Sequence, residues 1–183
     1  TLKDPFFGLV FWDRMYKTAY LAFLLVLTPI CHGQQIGCGG LNGFSDFDFW
    51  VGEWEVFDSA TGEKLGEDII QKIESGCLLL EHWKSVSGGT GTSLNYYNPV
   101  TREWRQVWVS EGRYSIDIVG GIRSGSMVLE GSIYNFAGAV WDFRGNWTPR
   151  PDGSVRQFFE QFNHDSNDWA TWFDRRYVRK DPG

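Results

Sequence analysis

The segment CLLLEHWKSVSGGTGTSLNYYNPVTREWRQVWVS, residues 77–110, decides the fold class of this chain. It contains three apolar and aromatic stretches, at 77–87, 92–98 and 103–110. A glycine-rich loop separates the first two, and a turn built on Asn and Pro separates the last two. Stretches of this length bounded by turn residues are typical of β-strands, and short connections between them predict antiparallel hairpins.

The same pattern continues on both sides of this segment. Further strands are expected at 48–57, 64–73, 113–119, 126–133, 140–148, 154–162 and 168–178. No stretch predicts a helix of more than one turn. Ten strands in unbroken hairpin succession predict an all-β fold, and closing them into an up-and-down antiparallel β-barrel removes the unpaired sheet edges. Such a barrel has room inside for side chains or one small ligand.

The composition agrees with an all-β domain. The chain has 183 residues, with ten Trp and 22 Gly, which favours aromatic strands and tight turns over helices. Its net charge is −6, so the basic surface that nucleic-acid binding requires is not expected.

The N-terminal part of the chain has the features of an export signal. Residues 15–33 combine a short basic start with the apolar run AYLAFLLVLTPI, and small residues follow it, so we expect a signal peptide cleaved after Gly33. The apolar run is shorter than the roughly twenty residues that a membrane-spanning helix needs. We therefore expect a periplasmic or secreted protein with no stable membrane anchor after cleavage. Residues 1–14 precede Met15 and are interpreted as translated upstream sequence.

Two alternatives to signal cleavage remain open from the sequence. The apolar run is also compatible with an uncleaved N-terminal anchor, and Cys31 with a lipid-modified cysteine. The residues that precede Cys31 (Thr28, Pro29 and Ile30) match a lipidation motif poorly.

Cys38 and Cys77 are the two cysteines of the expected mature chain. A lone pair of cysteines in an oxidising compartment predicts one disulfide, which would tie an N-terminal extension, 34–45, to the barrel domain, 46–183. Closing a loop of this length stabilises a fold by about 4 kcal/mol in the chain-entropy description.

Six segments of the chain resemble an uncharacterised family of secreted, bacterial, lipocalin-like proteins. The segments are FDFWVGEWEV (47–56), GCLLLEHW (76–83), GTSLNYYNP (91–99), EWRQVWV (103–109), RGNWTPRPDGSVRQ (144–157) and WATWFDRRY (169–177). The resemblance spans nearly all of the expected mature chain and implies a lipocalin-like (calycin-like) barrel. It implies no activity, because members of the family have none established.

Gly52 and Trp54 also resemble the G-x-W motif of the first lipocalin strand. In lipocalins this Trp closes one end of the barrel beneath an Arg of the last strand. The resemblance implies that role for Trp54, with Arg175 or Arg176 above it.

Catalytic and metal-binding patterns are weak in the sequence. The expected mature chain has two histidines, His82 and His164, which show neither the spacing of metal ligands nor a neighbouring nucleophile. Glu81 and Glu160 are a possible acid and base pair for a hydrolase, although the sequence favours surface or core-satisfying roles for them. We expect no metal, haem or other cofactor.

The strand at 103–110 indicates where a ligand would lie. Strand alternation places Trp104, Gln106 and Trp108 on one face. A buried amide without a partner costs roughly 1 to 3 kcal/mol, so Gln106 is expected to have polar partners inside the barrel. The candidate ligand-binding residues are Glu81, Trp83, Asn95, Trp104, Gln106, Trp108, Arg144 and Gln157. The alternative is a closed polar network in the core, with no cavity.

The sequence thus predicts a secreted barrel that binds a small, largely apolar or amphipathic molecule in its interior. Two other classes of function remain open. One is an enzyme, a hydrolase or isomerase using the same cavity, and the other is a carbohydrate-binding or envelope interaction scaffold. An enzyme would require two or more titratable groups that converge on the cavity.

Overall fold

The structure is a computed structural model that describes residues 37–180. The predicted signal peptide at 15–33, the upstream residues 1–14 and residues 34–36 lie outside the described residues. Within the described part of the chain, no helix has the length and apolar character needed to cross a membrane.

The described chain forms ten strands, and the predicted all-β fold is confirmed. The strands are β1 (Gly52–Asp58), β2 (Lys64–Ile73), β3 (Leu78–Ser85), β4 (Thr90–Asn98), β5 (Glu103–Ser110), β6 (Tyr114–Arg123), β7 (Ser126–Asn135), β8 (Val140–Pro149), β9 (Val155–Asn163) and β10 (Asp168–Arg179). Within residues 37–180 the helical structure consists of three short 3-10 turns, at Cys38–Gly40, Asp48–Trp50 and Glu74–Gly76.

Every strand pairs antiparallel with its neighbours in sequence, and the first and last strands close the barrel. Trp54 of β1 lies opposite Asp68 of β2 on one side and opposite Arg179 of β10 on the other. The sheet therefore has no open edge, which agrees with the predicted up-and-down, lipocalin-like barrel.

The first strand begins later than predicted, because the residues before it plug one end of the barrel. Asp48–Trp50 forms a 3-10 turn, and the side chains of Phe47 and Trp50 are fully buried. Their rings stack with centroids 4.9 Å apart, and both pack against Trp147. Burial of these rings outweighs the strand propensity of the segment, so regular pairing starts only at Gly52.

Two polar contacts hold this plug in place. Trp104 Nε1 donates a hydrogen bond to the Gly43 carbonyl oxygen at 3.0 Å. Lys72 Nζ lies 2.6 Å from a carboxylate oxygen of Asp48.

The predicted disulfide is present between Cys38 and Cys77, whose Cα atoms are 4.9 Å apart. It joins the segment before the plug to the residue that precedes β3. The N-terminal extension is thus covalently fixed to the barrel wall.

The Arg above Trp54 differs from the one that the lipocalin resemblance implied. The Arg179 guanidinium lies 4.3 Å above the Trp54 ring and donates a hydrogen bond to the Val51 carbonyl at 3.1 Å. Gly52 has a φ of +147°, and a Cβ there would overlap Arg179 Nη1. The glycine of the motif therefore makes room for the arginine, and Arg175 and Arg176 have other roles.

Candidate functional site

A cavity of about 50 Å³ lies inside the barrel, between β3, β5, β6, β9 and β10. Most of its wall is aromatic, including Trp83, Trp108 and Trp172. Its polar wall consists of Glu81, Gln106, Gln157 and Arg175, together with the hydroxyls of Tyr114 and Tyr177. A cavity of this volume holds a few water-sized groups.

A chain of buried hydrogen bonds starts at this wall and runs across β5, β4 and β3. Gln106 Nε2 donates to Asn95 Oδ1 at 2.8 Å, and Asn95 Nδ2 donates to Ser93 Oγ at 2.7 Å. Ser93 Oγ in turn donates to Glu81 Oε2. The expected polar partner of Gln106 is therefore Asn95, and the side chain serves the cavity wall and the network together.

A second buried hydrogen-bonded group is centred on Tyr177 of β10. It adjoins the first network at the carboxyl groups of Asp68 and Glu81. The Tyr177 hydroxyl lies 3.1 Å from Asp68 Oδ2 and 2.9 Å from Gln157 Oε1. Its single proton can be donated to only one of these oxygens at a time. Burial strongly raises the pKa of Tyr177, so the hydroxyl keeps this proton.

Asp68 and Glu81 form a pair of carboxyl groups in the barrel interior. Burial raises the pKa of Asp68 to about 6. Burial, reinforced by the neighbouring Asp68 carboxylate, raises the pKa of Glu81 well above its usual range. Asp68 Oδ1 is buried and has no hydrogen-bond partner among residues 37–180. Burial and the mutual repulsion of the two carboxylates therefore both favour a protonated carboxyl in the pair.

Two N–H donors on the cavity wall have no hydrogen-bond partner within the described residues. They are Trp108 Nε1 and Arg175 Nε, and both atoms are buried. The Arg175 guanidinium lies 3.9 Å above the Phe173 ring and 5.0 Å above the Trp83 ring. These contacts are made through the faces of the rings, so they orient the guanidinium while its N–H groups stay free to donate hydrogen bonds.

Five of the eight predicted ligand-binding residues line the cavity: Glu81, Trp83, Gln106, Trp108 and Gln157. Asn95 is fully buried and does not line the cavity itself. Its Oδ1 accepts the hydrogen bond from Gln106, which does. Trp104 points inward as predicted, but it packs against Phe47 at the plugged end.

The assignment of Arg144 to the interior was wrong. On β8 the inward side chains are Phe143 and Trp147, so Arg144 lies on the outer face. There its Nε is 2.6 Å from Glu160 Oε2, and its guanidinium stacks over Trp169 at 4.2 Å.

Sequence reasoning missed four residues of the interior: Asp68, Ser93, Arg175 and Tyr177. Alternation supplied a signal for two of them, because Asp68 shares a face with the apolar Ile70, and Ser93 shares a face with Asn95. Arg175 and Tyr177 were within reach of the same argument, had the inward face of the last strand been known.

An open cleft of about 450 Å³ lies outside the cavity, between β8 and the hairpin of β9 and β10. Trp172 lines both the cleft and the cavity. The pairing of β10 with β9 shifts between Thr171 and Phe173, which makes Trp172 the extra residue of a β-bulge. Bulges re-aim side chains, and here the indole forms the wall between the two spaces.

The other residues that the sequence offered for catalysis lie outside the cavity. His82 is exposed on the outer face of the barrel, and His164 lines the open cleft. Glu160 is on the outer face with Arg144, so it does not pair with Glu81. Residues 37–180 contain no group of three or more His, Cys, Asp or Glu side chains arranged to hold a metal ion.

No protein-family model matches the sequence, and a comparison with curated proteins found no match. The resemblance to the lipocalin-like family therefore stays a prediction. The site has to be interpreted from its geometry.

Proposed function

We propose that the barrel binds a small, largely apolar molecule in its interior cavity. One observation carries the proposal: an aromatic cavity lined by Trp108 and Arg175, whose Nε1 and Nε atoms are buried and have no protein hydrogen-bond partner within residues 37–180. Apolar walls with a few polar groups in fixed positions are typical of small-molecule sites.

The size of the cavity limits the ligand or requires the wall to move. A cavity of about 50 Å³ accepts only a small group. A larger ligand would need Trp172 to swing aside, because this indole separates the cavity from the 450 Å³ cleft. Trp172 is the extra residue of the bulge and is left out of the strand pairing, so its movement would not require a ladder pair to break.

Native mass spectrometry of protein purified from its own compartment tests the proposal. We expect a bound small molecule that dissociates on denaturation. Ile116→Phe fills the cavity from β6 and should abolish retention of the molecule. The matched control is Val119→Phe, an exposed position on the outer face of the same strand, which should leave retention unchanged. Equal retention by both variants would place the ligand elsewhere and contradict the proposal.

We also propose that the protein works outside the cytoplasm. The Cys38–Cys77 disulfide supports this, because such bonds persist in oxidising compartments. Intact mass of the exported protein is the test. We expect a mature chain that begins near Gln34 and contains no free thiol, and two titratable thiols in the non-reduced protein would contradict it.

A second candidate function, proton transfer to a substrate in the same cavity, rests on Glu81. Glu81 is on the cavity wall, and burial raises its pKa, which favours the protonated form that an acid catalyst needs. Hydrolysis of p-nitrophenyl acetate that is lost in Glu81→Gln would favour this function. Equal rates for the two proteins would count against it.

The scaffold and carbohydrate-binding alternatives have less support. All nine Trp residues of the described range are buried or half-buried, whereas a sugar platform requires an exposed ring.

A further inference from the structure

Arg175 brings a positive charge to the cavity wall that no ion pair among the described residues neutralises. Five of the ten arginines of residues 37–180 have a carboxylate oxygen within 4.0 Å, and Arg175 is among the five that do not. The adjacent Arg176 points outward, and its Nη2 lies 2.9 Å from Asp152. The two arginines thus differ in partner as well as in direction.

The nearest acidic groups compensate this charge only in part. Asp68 and Glu81 are close enough to feel Arg175 electrostatically, and neither carboxylate is within 4.0 Å of it. Burial and mutual repulsion raise the pKa of both carboxyls, so the pair carries less negative charge than two free carboxylates would. The interior therefore tolerates a negative charge next to Arg175 and disfavours a second cation.

Several other polar groups of the wall are already engaged. Gln106 donates to Asn95, the Gln157 carbonyl oxygen lies 2.9 Å from the Tyr177 hydroxyl, and Glu81 accepts from Ser93. Trp108 Nε1 and Arg175 Nε, by contrast, are buried N–H groups of the wall that have no partner within residues 37–180. A ligand that satisfies both must present acceptor oxygens, and a carboxylate matches the fork of a guanidinium best.

We propose that the ligand is a carboxylic acid with a short aliphatic or monocyclic apolar body, bound as the carboxylate by Arg175 and the Trp108 N–H. This inference rests on the proposed binding function and specifies the chemical class of its ligand. The cavity of about 50 Å³ has room for the carboxylate, and an apolar body as long as a hexyl chain would require the Trp172 indole to move toward the 450 Å³ cleft.

Two matched probes, hexanoate and hexanol, test the inference by isothermal titration calorimetry at neutral pH. They share an apolar chain and differ in the carboxylate. A charge-assisted hydrogen bond makes hexanoate bind at least about tenfold more tightly than hexanol. Arg175→Met should bring the ratio of the two affinities close to one, chiefly by weakening hexanoate. Arg176→Met is the control, and it should leave the ratio as it is in the unmodified protein.

A measurement on the unmodified protein covers the case in which Arg175→Met does not fold. Hexanoate should shift the nuclear magnetic resonance signal of the Trp108 indole N–H, and hexanol should not shift it in the same direction or to the same extent. The signal is assigned by its loss in Trp108→Phe, which keeps most of the ring and removes the donor.

The outcomes separate the two proposals. If both probes bind with equal affinity, or if Arg175→Met leaves their ratio unchanged, the carboxylate preference is overturned and interior binding stands. If neither probe binds and no molecule is retained in native mass spectrometry, interior binding fails and the carboxylate inference fails with it.

Discussion

Asp68 and Glu81 make the interior of this barrel sensitive to pH. Both carboxyls have a raised pKa because burial disfavours their charged forms. In the pH range between the unfolded and folded pKa of Asp68, the folded protein binds more protons than the unfolded chain. Stability therefore falls as pH rises through that range.

We expect the free energy of unfolding to decrease between about pH 4 and about pH 6, by up to about 3 kcal/mol from Asp68 alone. Urea denaturation across this range measures it. Asp68→Asn keeps an oxygen that can accept from Tyr177 and should remove this part of the slope. The decline attributable to Glu81, which begins at its unfolded pKa, should remain.

The control for this measurement is Asp152→Asn. Asp152 is exposed, and hydrogen bonds from Ser154 lower its pKa. Its contribution to stability is present above its unfolded pKa and is lost as pH falls below it. Asp152→Asn should therefore leave the slope above about pH 5 unchanged. A slope that is the same in Asp68→Asn and the unmodified protein would show that Asp68 is not the titrating group.

Neighbouring strands fit together in the barrel by placing glycines beneath aromatic rings. A Cβ at Gly66 would overlap Trp83, one at Gly91 would overlap Trp108, and one at Gly145 would overlap Phe159. Each of these rings lines the cavity. The glycines thus decide how far the rings lean back against the wall, and with it how much of the interior stays open.

Gly91→Ala should push the Trp108 ring toward the cavity and destabilise the fold by roughly 1 to 3 kcal/mol, which is typical of overpacking. Thermal unfolding and hexanoate titration measure the two effects. Gly89→Ala is the matched control two residues away, because a Cβ there meets nothing within 4 Å. Unchanged stability and binding in Gly91→Ala would mean that Trp108 is free to move.

Trp172, at the bulge of β10, is expected to control the entry of a ligand into the cavity. The ring packs edge-on against Tyr114 and Phe143, with centroids 5.1 Å away in each case. Trp172→Ala should increase the association rate of hexanoate, measured by stopped-flow fluorescence, because it joins the cavity to the cleft. It should also reduce stability by roughly 3 to 5 kcal/mol, as large-to-small changes in a core do.

The control for access is Trp169→Ala, on the outer face of the same strand, where the ring stacks with Arg144. It should leave the association rate as it is. A rate that Trp172→Ala does not raise would mean that ligands reach the cavity by another route.

Strand positions were predictable from this sequence, while the direction of individual side chains was only partly so. Turn residues bound each strand, which explains why β2 and β5 agree with prediction at both ends. Alternation divides a strand into two faces without saying which is inward, and Arg144 was placed on the wrong one for that reason. Phe143 and Trp147, its neighbours on the opposite face, were the available signal.

The end of the barrel at which a residue lies depends on the fold of the whole chain, and local sequence patterns do not reveal it. Trp104 and Trp108 share a face of β5, yet Trp104 contacts the plug and Trp108 lines the cavity. Only the fold of residues 43–51 over one end distinguishes them. The carboxyl pair was missed for a similar reason. Asp68 is on β2 and Glu81 is on the adjacent strand β3, so only the register of the two strands brings them together.

The plug is held by three contacts of different kinds: the Cys38–Cys77 disulfide, the Lys72–Asp48 ion pair and the Trp104–Gly43 hydrogen bond. The rings of Phe47 and Trp50 have packing contacts of their own, with Trp104 and Trp147 for Phe47 and with Trp147 for Trp50. The disulfide therefore acts mainly by restricting the unfolded chain, since it closes a loop with a sequence separation of 39.

Replacing both cysteines, Cys38→Ser with Cys77→Ser, should lower the free energy of unfolding by up to about 4 kcal/mol. The folded barrel should keep its near-ultraviolet circular dichroism, because Trp50 remains packed between Phe47 and Trp147. Hexanoate affinity should also be unchanged, because the cavity lies beyond the plug. Loss of the aromatic signal under native conditions would instead show that the disulfide positions the plug in the folded state. Lys72→Met, which removes the ion pair and leaves the covalent bond, would then distinguish a plug that needs every contact from one that needs the disulfide alone.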